Sequence, residues 1–543
     1  MTAAAASTRI GTRRRFHLGV WWWVAPLVLL MLAPVAALLG AFARPAPEVW
    51  AHLRAHVLPE VLANTGVLAA GVGVGVLLLG LPAAALTALC RFPGRNFFVW
   101  GLLLPLAIPA YVSGFVWVGW LDFSAPLPTW LRNQFGLTLP TVRSGWGAAL
   151  ALSLSLYAYV YLSTYAAFRN QGSRLIEAAL TLGHNRLAAF WRVVLPMALP
   201  ALGAGLLLAW METLADFGTV SVFNFNTFTT AIYKTWFALQ SIDAAAQLAA
   251  LLIVLALLAA LAQAELVQRQ SRRGGMRMFA AGTLVPLHGW RAAAASAFCG
   301  ALWLLAFAAP MLQLGVWAAR SALQDLDGRY LGFALHTLLL AASGAALVVL
   351  TAVALAYAQR MQAGRAMTLA QRLATMGYAL PGAVLAVGAV WSLSWLDHRL
   401  ADALGADRLL LSNTLAALLL AYLVRFLAVG HGPLEAGLQA ISRSMDEAAR
   451  TLGERAISRL RRIHLPLLRS SLGVAAALVF VDLMKELPIT LMTRPFGWDT
   501  LAVRVFEMTS EGEWERAALP AVAIALVGML PVFLLIRHAD ARR

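Results

Sequence analysis

The chain has 543 residues, 42 Lys+Arg against 25 Asp+Glu, a formal net charge of +17, 61% hydrophobic residues and 12% charged ones. Soluble domains carry about 25% charged residues and about 45–50% apolar ones, so this composition excludes an ordinary soluble globule and a disordered chain. It also argues against a nucleic-acid binder, which needs a solvated cationic face.

A bilayer span takes about 20 mostly apolar residues. Twelve such stretches follow in chain order, at about 20–43, 61–90, 97–121, 145–168, 199–222, 244–264, 292–319, 333–358, 374–396, 411–430, 471–492 and 517–536. The predicted fold class is an all-α polytopic membrane protein with twelve transmembrane helices. The first stretch follows Arg13, Arg14 and Arg15. It is longer than the ~7–15 apolar residues of a signal peptide, so it reads as an uncleaved span. With the N-terminus inside, the cytoplasmic segments hold 28 of the 42 cations and the outside loops 12, leaving Arg425 and Lys485 within spans. Positive charge marks the cytoplasmic side, so both termini are expected there.

Lys234 and Lys485 are the only lysines, and neither follows a glycine. A Walker A phosphate loop requires Gly-Lys before its Ser or Thr, so this sequence has no P-loop. Cys90 and Cys299 sit in or beside apolar runs and read as small buried hydrophobes. Gly71, Gly73 and Gly75 lie inside the second span, where close helix packing favours small residues. His52 and His56, four apart in the first outside loop, read as a solvated helix face.

The sequence repeats internally. Glu177-Ala-Ala-Leu-Thr-Leu-Gly183 returns as Glu447-Ala-Ala-Arg-Thr-Leu-Gly453, an offset of 270 that also carries Leu195-Pro196 onto Leu465-Pro466. Upstream, Asn64-Thr65 and His336-Thr337 are 272 apart. Each unit therefore has six spans. Six is even, so the copies are parallel repeats about an axis along the membrane normal. The expected division is residues 1–267 as the first unit, 268–291 as a basic cytoplasmic linker and 292–543 as the second unit.

Both copies of the motif fall in long cytoplasmic loops, about 169–198 and 431–470, and read as helix–turn–helix. The turns are expected at Gly183 and Gly453, and Pro196 and Pro466 are expected to break the chain before the next span. Glu177, Ala178, Ala179, Gly183, Val193, Leu195 and Pro196, and again Glu447, Ala448, Ala449, Gly453, Ile463, Leu465 and Pro466, resemble the cytoplasmic signature of binding-protein-dependent ABC importer permeases. The resemblance covers nearly the whole chain. It implies the ABC importer permease fold and a multi-pass place in the bacterial inner membrane. It also implies a coupling role for the two loops, each docked on one of two ABC ATPase subunits. Transport would proceed by alternating access, with ATP and Mg²⁺ bound by the ATPase and no cofactor or catalytic residue in this chain. A periplasmic binding protein would dock on outside loops such as 223–243 and 493–516. The partners are then these proteins and the lipid bilayer, with no nucleic acid.

Two fused units resemble the ferric-iron and thiamine importer permeases. The segments Met211–Val220, Thr227–Tyr233, Lys485–Thr490 and Asp499–Arg504 look most like the ferric-iron branch. Glu212 and Asp216, and again Asp482 and Glu486 beside Lys485, are acids four apart within apolar runs, expected to share a helix face. Ionisable residues inside a membrane are costly and point to function. Two arrangements satisfy them: a salt-bridged lock around Lys485, or acids converging on the axis to line a cation path of oxygen ligands. A secondary transporter would leave the duplicated loops unexplained, and so would a membrane-embedded enzyme using these acids for proton transfer.

Overall fold

The computed structural model describes residues 18–43, 47–169, 173–273, 284–405, 411 and 414–540. The first unit runs through α1 (Leu18–Gly40), α2 (Pro47–His52), α3 (Leu58–Leu89), α4 (Arg95–Gly101), α5 (Ala110–Leu121), α6 (Pro126–Phe135) and α7 (Gly145–Ala167). It continues with α8 (Ser173–Thr181), α9 (Arg186–Ala189), α10 (Leu195–Ala215), α11 (Gly218–Val222), α12 (Phe228–Phe237) and α13 (Ile242–Arg273). The second unit follows the same plan: α14 (Gly289–Trp303), α15 (Ala309–Asp325), α16 (Gly328–Met361), α17 (Arg365–Thr375), α18 (Gly382–Leu404) and α19 (Leu415–Ala440). It closes with α20 (Arg443–Thr451), α21 (Ala456–Arg459), α22 (Leu465–Met484), α23 (Pro488–Thr493), α24 (Leu501–Ser510) and α25 (Trp514–Asp540). Two strands of two residues, β1 (Cys90–Arg91) and β2 (Val285–Pro286), pair in parallel. Residues 274–283 of the expected linker lie outside the described residues.

Among the described residues, eight helices are long and apolar enough to cross a membrane, and two bent pairs bring the number to ten. The remaining two expected spans fall on α13 and α25, helices of 32 and 27 residues whose side chains are described only in part. The stretches 97–121 and 374–396, expected as straight spans, are instead bent by 90° and 116°. The cause is local. Ile108 and Leu380 precede Pro109 and Pro381 and take extended ψ values of 125° and 139°. A proline ring excludes its predecessor from the helical region. The spans expected at 199–222 and 471–492 also stop short, because α10 ends at Ala215 and α22 at Met484.

The hydrophobic interior forms two clusters, and each draws on both units. In one, Val24, Met31 and Leu38 of α1 and Leu248 and Leu252 of α13 pack with Val384, Val387, Leu418, Tyr422 and Val479 of the second unit. In the other, Cys299, Leu314 and Trp317 of α14–α15 and Ile524 of α25 pack with Val72, Val112, Phe115 and Tyr157 of the first. The outer helices of each unit thus embrace the inner helices of the other. Lipid is as apolar as leucine, so such contacts depend on close van der Waals approach rather than on exclusion of water. A Cβ on Gly75 would lie 2.1 Å from Ser153 Oγ, so the α3 glycines do serve helix packing. A Cβ on Gly388 would lie 2.6 Å from the Pro34 carbonyl oxygen, which places α18 directly on the α1 backbone.

Gly388→Leu is expected to destabilise the detergent-solubilised protein by about 1–3 kcal/mol through overpacking. A thermal unfolding scan measures it. Gly315→Ala is the control: no atom from another helix lies within 4 Å of that Cβ position, and alanine suits a helix interior better than glycine, so its midpoint does not fall.

Candidate functional site

The helix breaks of both units meet at one place. A cavity of about 210 Å³ is lined by Ile108 and Pro109, by Glu212 and Asp216, by Tyr378, and by Asp482, Lys485 and Glu486. Arg425, Tyr111 and Tyr159 complete its polar wall. The structure therefore brings all five intramembrane residues expected to matter into one cavity, two from the first unit and three from the second.

They do not arrive there as two acids on one helical face. Asp216 follows the end of α10 with an extended ψ of 130°, and Glu486 lies beyond the end of α22. The signal is in the sequence: Gly218 and Pro488 each stand two residues after the acid. A Cβ on Gly218 would lie 2.7 Å from Tyr111 Cβ, so this close approach requires glycine.

Freed from the helix, both acids turn back to hold the next one. The Asp216 carboxylate accepts the Val220 N–H at 3.0 Å and the Thr219 hydroxyl at 2.8 Å. The Glu486 carboxylate accepts the N–H groups of Ile489 and Thr490 at 3.1 and 3.0 Å and the Thr490 hydroxyl at 3.2 Å. Each therefore satisfies the orphan donors at the start of a short helix, α11 or α23. Tyr422 meets Thr490 Oγ1 at 2.5 Å and braces the second of these caps.

The other two acids remain on helices and differ from one another. Asp482 pairs with Lys485 Nζ at 2.9 Å. Among the described residues, the Glu212 carboxylate makes no hydrogen bond or salt bridge. Ala215 stands where the repeat would place a second lysine. Arg425 Nη1 donates to the Leu380 carbonyl at 3.2 Å. A Cβ on Gly382 would lie 2.9 Å from both Arg425 Nη1 and Glu486 Oε1, so the guanidinium and this carboxylate flank one glycine. Among the described residues no three His, Cys, Asp or Glu side chains are grouped closely enough to hold a metal ion. The cavity thus carries acids on its wall without a preformed chelate. Sequence reasoning left Arg425, Tyr159 and Tyr378 out of the site. An ionised residue in an apolar run marks the first, whereas nothing local marks the tyrosines.

The two loops form a second matched pair of features. In the first, α8 carries Glu177, Ala178 and Ala179 and turns at Gly183, whose φ is +84°. In the second, α20 carries Glu447, Ala448 and Ala449 and turns at Gly453, whose φ is +77°. The His184 N–H meets the Ala179 carbonyl and the Gly183 N–H meets the Leu180 carbonyl, both at 3.0 Å. Glu454 and Gly453 repeat the same two bonds to Ala449 and Arg450. This is the Schellman closure, which needs a left-handed residue at the turn. Ala179 and Ala449 are buried at 3% and 4% exposure, while Glu177, Ala178, Glu447 and Ala448 face outward. At the second turn the Ser458 hydroxyl, helped by Arg462, holds the Glu454 carboxyl below its usual range.

Pro196 and Pro466 do not break the chain, contrary to expectation. Each sits at the start of α10 or α22, just after a widened turn in which Leu195 N–H reaches Phe190 O and Leu465 N–H reaches Leu460 O. The wide turn takes up the clash a proline ring makes with the preceding turn. The helices therefore run on as Arg186–Ala215 and Ala456–Met484. Exposed apolar side chains recur at matched positions: Leu182 and Leu452 at 78% and 83%, Leu187 and Ile457 at 69% and 68%. They were not singled out from the sequence, although the repeat itself pairs them. The loops differ beneath the surface. Arg360 binds Asp446 at 2.7 Å and the Ile441 and Ser442 carbonyls at 3.0 and 3.1 Å. The first loop has buried Ile176 at the position of Asp446.

A duplicated bundle with broken helices around an internal polar cavity and a matched pair of exposed loops defines a membrane permease of two fused units. The chain belongs to the family of binding-protein-dependent transport system inner membrane components, which matches residues 77–273 and 348–543. Permeases of this family work with an ATPase and a binding protein. The chain is 28% identical over 489 residues to the Fe(3+)-transport system permease protein FbpB 2 of Haemophilus influenzae, covering 89% of this chain and 90% of that one. It is 23% identical over 498 residues to the ferric transport system permease protein FbpB of Actinobacillus pleuropneumoniae, covering 88% and 70%. The molybdenum transport system permease protein ModB of Escherichia coli is 28% identical over 202 residues, 36% of this chain and 87% of that one.

Gly453→Val places a β-branched side chain at positive φ and is expected to open the second turn, at a cost of about 1–2 kcal/mol. Hydrogen exchange should show faster exchange of the Glu454 amide, with Gly473→Ala as a silent control.

Proposed function

We propose that this chain is the permease of an ATP-driven importer that carries ferric iron from a periplasmic binding protein into the cytoplasm. Similarity to ferric permeases along nearly the whole chain carries the cargo reading. Two copies of the ATPase dock on the α8–α9 and α20–α21 loops, one on each. Glu177, Ala178, Ala179 and Gly183, with Glu447, Ala448, Ala449 and Gly453, shape those surfaces. Leu195 and Pro196, with Leu465 and Pro466, join them to the long helices. ATP and Mg²⁺ are bound by the ATPase, and this subunit makes and breaks no covalent bond. Both termini lie in the cytoplasm, in keeping with the arginine bias, and the binding protein docks on the opposite face.

The cation route runs through the cavity of Glu212, Asp216, Asp482, Lys485 and Glu486. Fe³⁺ is a hard cation and favours oxygen ligands. A route must hold its ion firmly enough to admit it and weakly enough to release it. Two of the four carboxylates already hold backbone N–H groups and a third holds Lys485, which leaves a weak site and suits release. ATPase closure moves the loops, and the loops move the helix ends that carry the acids.

The test is to purify the chain from its native membrane with whatever accompanies it and to measure ATP hydrolysis. Stimulation by an iron-loaded binding protein is expected. Stimulation by a thiamine-loaded one instead would overturn the cargo, and absence of any ATPase would overturn the class.

A further inference from the structure

The repeat places Ala215 in the first unit where Lys485 stands in the second, so the two halves of the cavity differ in charge at this position. Lys485 Nζ sits 2.9 Å from Asp482 Oδ1, and the two side chains remain 32% and 25% exposed. The pair is therefore reachable from the cavity it lines. The other charges facing it are Glu212, Asp216, Glu486 and Arg425. Asp216 and Glu486 are engaged by N–H groups of α11 and α23, and Arg425 flanks Gly382 together with Glu486. Asp482 is thus the carboxylate whose partner is a side-chain cation, and it shares the cavity with Glu212, which among the described residues has no such partner.

The chemistry of lysine fits a partner that leaves. Its ammonium is a compact point charge on a flexible stem, whereas an arginine fork would bind a carboxylate with two fixed hydrogen bonds. Lys485 also stands at the C-cap of α22, where the negative end of the helix dipole favours a positive charge whether or not Asp482 holds it. The ammonium therefore retains a favourable electrostatic environment after moving off the carboxylate.

We propose that Lys485 is a resident counter-cation: it occupies Asp482 when the cavity is empty, is displaced by the metal cation in transit, and returns to expel it. This rests on the cation route described above. The lysine lowers the affinity of the Glu212–Asp482 pair for a metal ion, so the ion does not stay, and it keeps the empty cavity from holding an uncompensated acid pair.

Terbium(III) tests this directly in the purified full chain, as a hard trivalent ion whose emission is sensitised by tyrosines such as Tyr159 and Tyr378 on the cavity wall. The measured quantity is the part of the signal lost in Glu212→Gln. Lys485→Met is expected to raise Tb³⁺ affinity roughly two- to fivefold, the scale set by removing a partly exposed ion pair. Adding Asp482→Asn should abolish the gain, and Lys485→Arg, which keeps the charge, should stay at or below wild-type affinity. If Lys485→Met and Lys485→Arg both bind as wild type does, the counter-cation role is overturned while the cation route stands. If no variant, wild type included, gives a Glu212-dependent signal, the route itself is overturned.

Discussion

A backbone N–H or C=O without a partner in hydrocarbon costs about several kcal/mol, so irregular chain at membrane depth survives only where protein satisfies it. This chain breaks its helices at Ile108–Pro109, after Ala215, at Leu380–Pro381 and after Met484. Most of what is distinctive in the structure follows from satisfying those breaks. Asp216 and Glu486 serve as caps, Arg425 covers the Leu380 carbonyl, and Thr229 covers the Asp216 carbonyl. The same groups that make the breaks tolerable also make the cavity polar.

One continuous helix in each unit connects a break to a loop. Arg186–Ala215 is a continuous helix of 30 residues, about 45 Å long at 1.5 Å per residue. It joins the turn at Gly183 to the Asp216 break. Ala456–Met484 does the same for the second loop and the Lys485–Glu486 break. Each helix has an exposed turn at one end and the cavity acids at the other, with the widened turn at Phe190–Val194 or Leu460–His464 near its loop end. The exchanged outer helices pack each half against the inner helices of the other.

Much of this was legible in the sequence. The 270-residue offset exposed the two units, and the Glu-Ala-Ala, Gly and Pro spacing located both loops and their turns. The intramembrane acids were legible as anomalies because charge is rare in apolar runs. What escaped was decided by single residues against a strong background. Pro109 and Pro381 bend stretches whose hydropathy reads as straight spans, and Gly218 and Pro488 accompany helix ends about two turns early. The prolines 196 and 466 misled in the other direction, since a widened turn absorbs them. The exchange of outer helices and the placing of Tyr159 and Tyr378 depend on tertiary contacts. No sequence period records them.

Coupled uptake offers the most direct test of the cavity as the route. The complex is reconstituted in vesicles with Glu212→Gln and Asp482→Asn in the permease, and iron uptake and ATP hydrolysis are measured together. If these carboxylates line the path, uptake falls by about tenfold or more, on the scale of losing one or two charged contacts, while binding-protein-stimulated hydrolysis persists. Iron uptake at the wild-type rate in that double variant would contradict it.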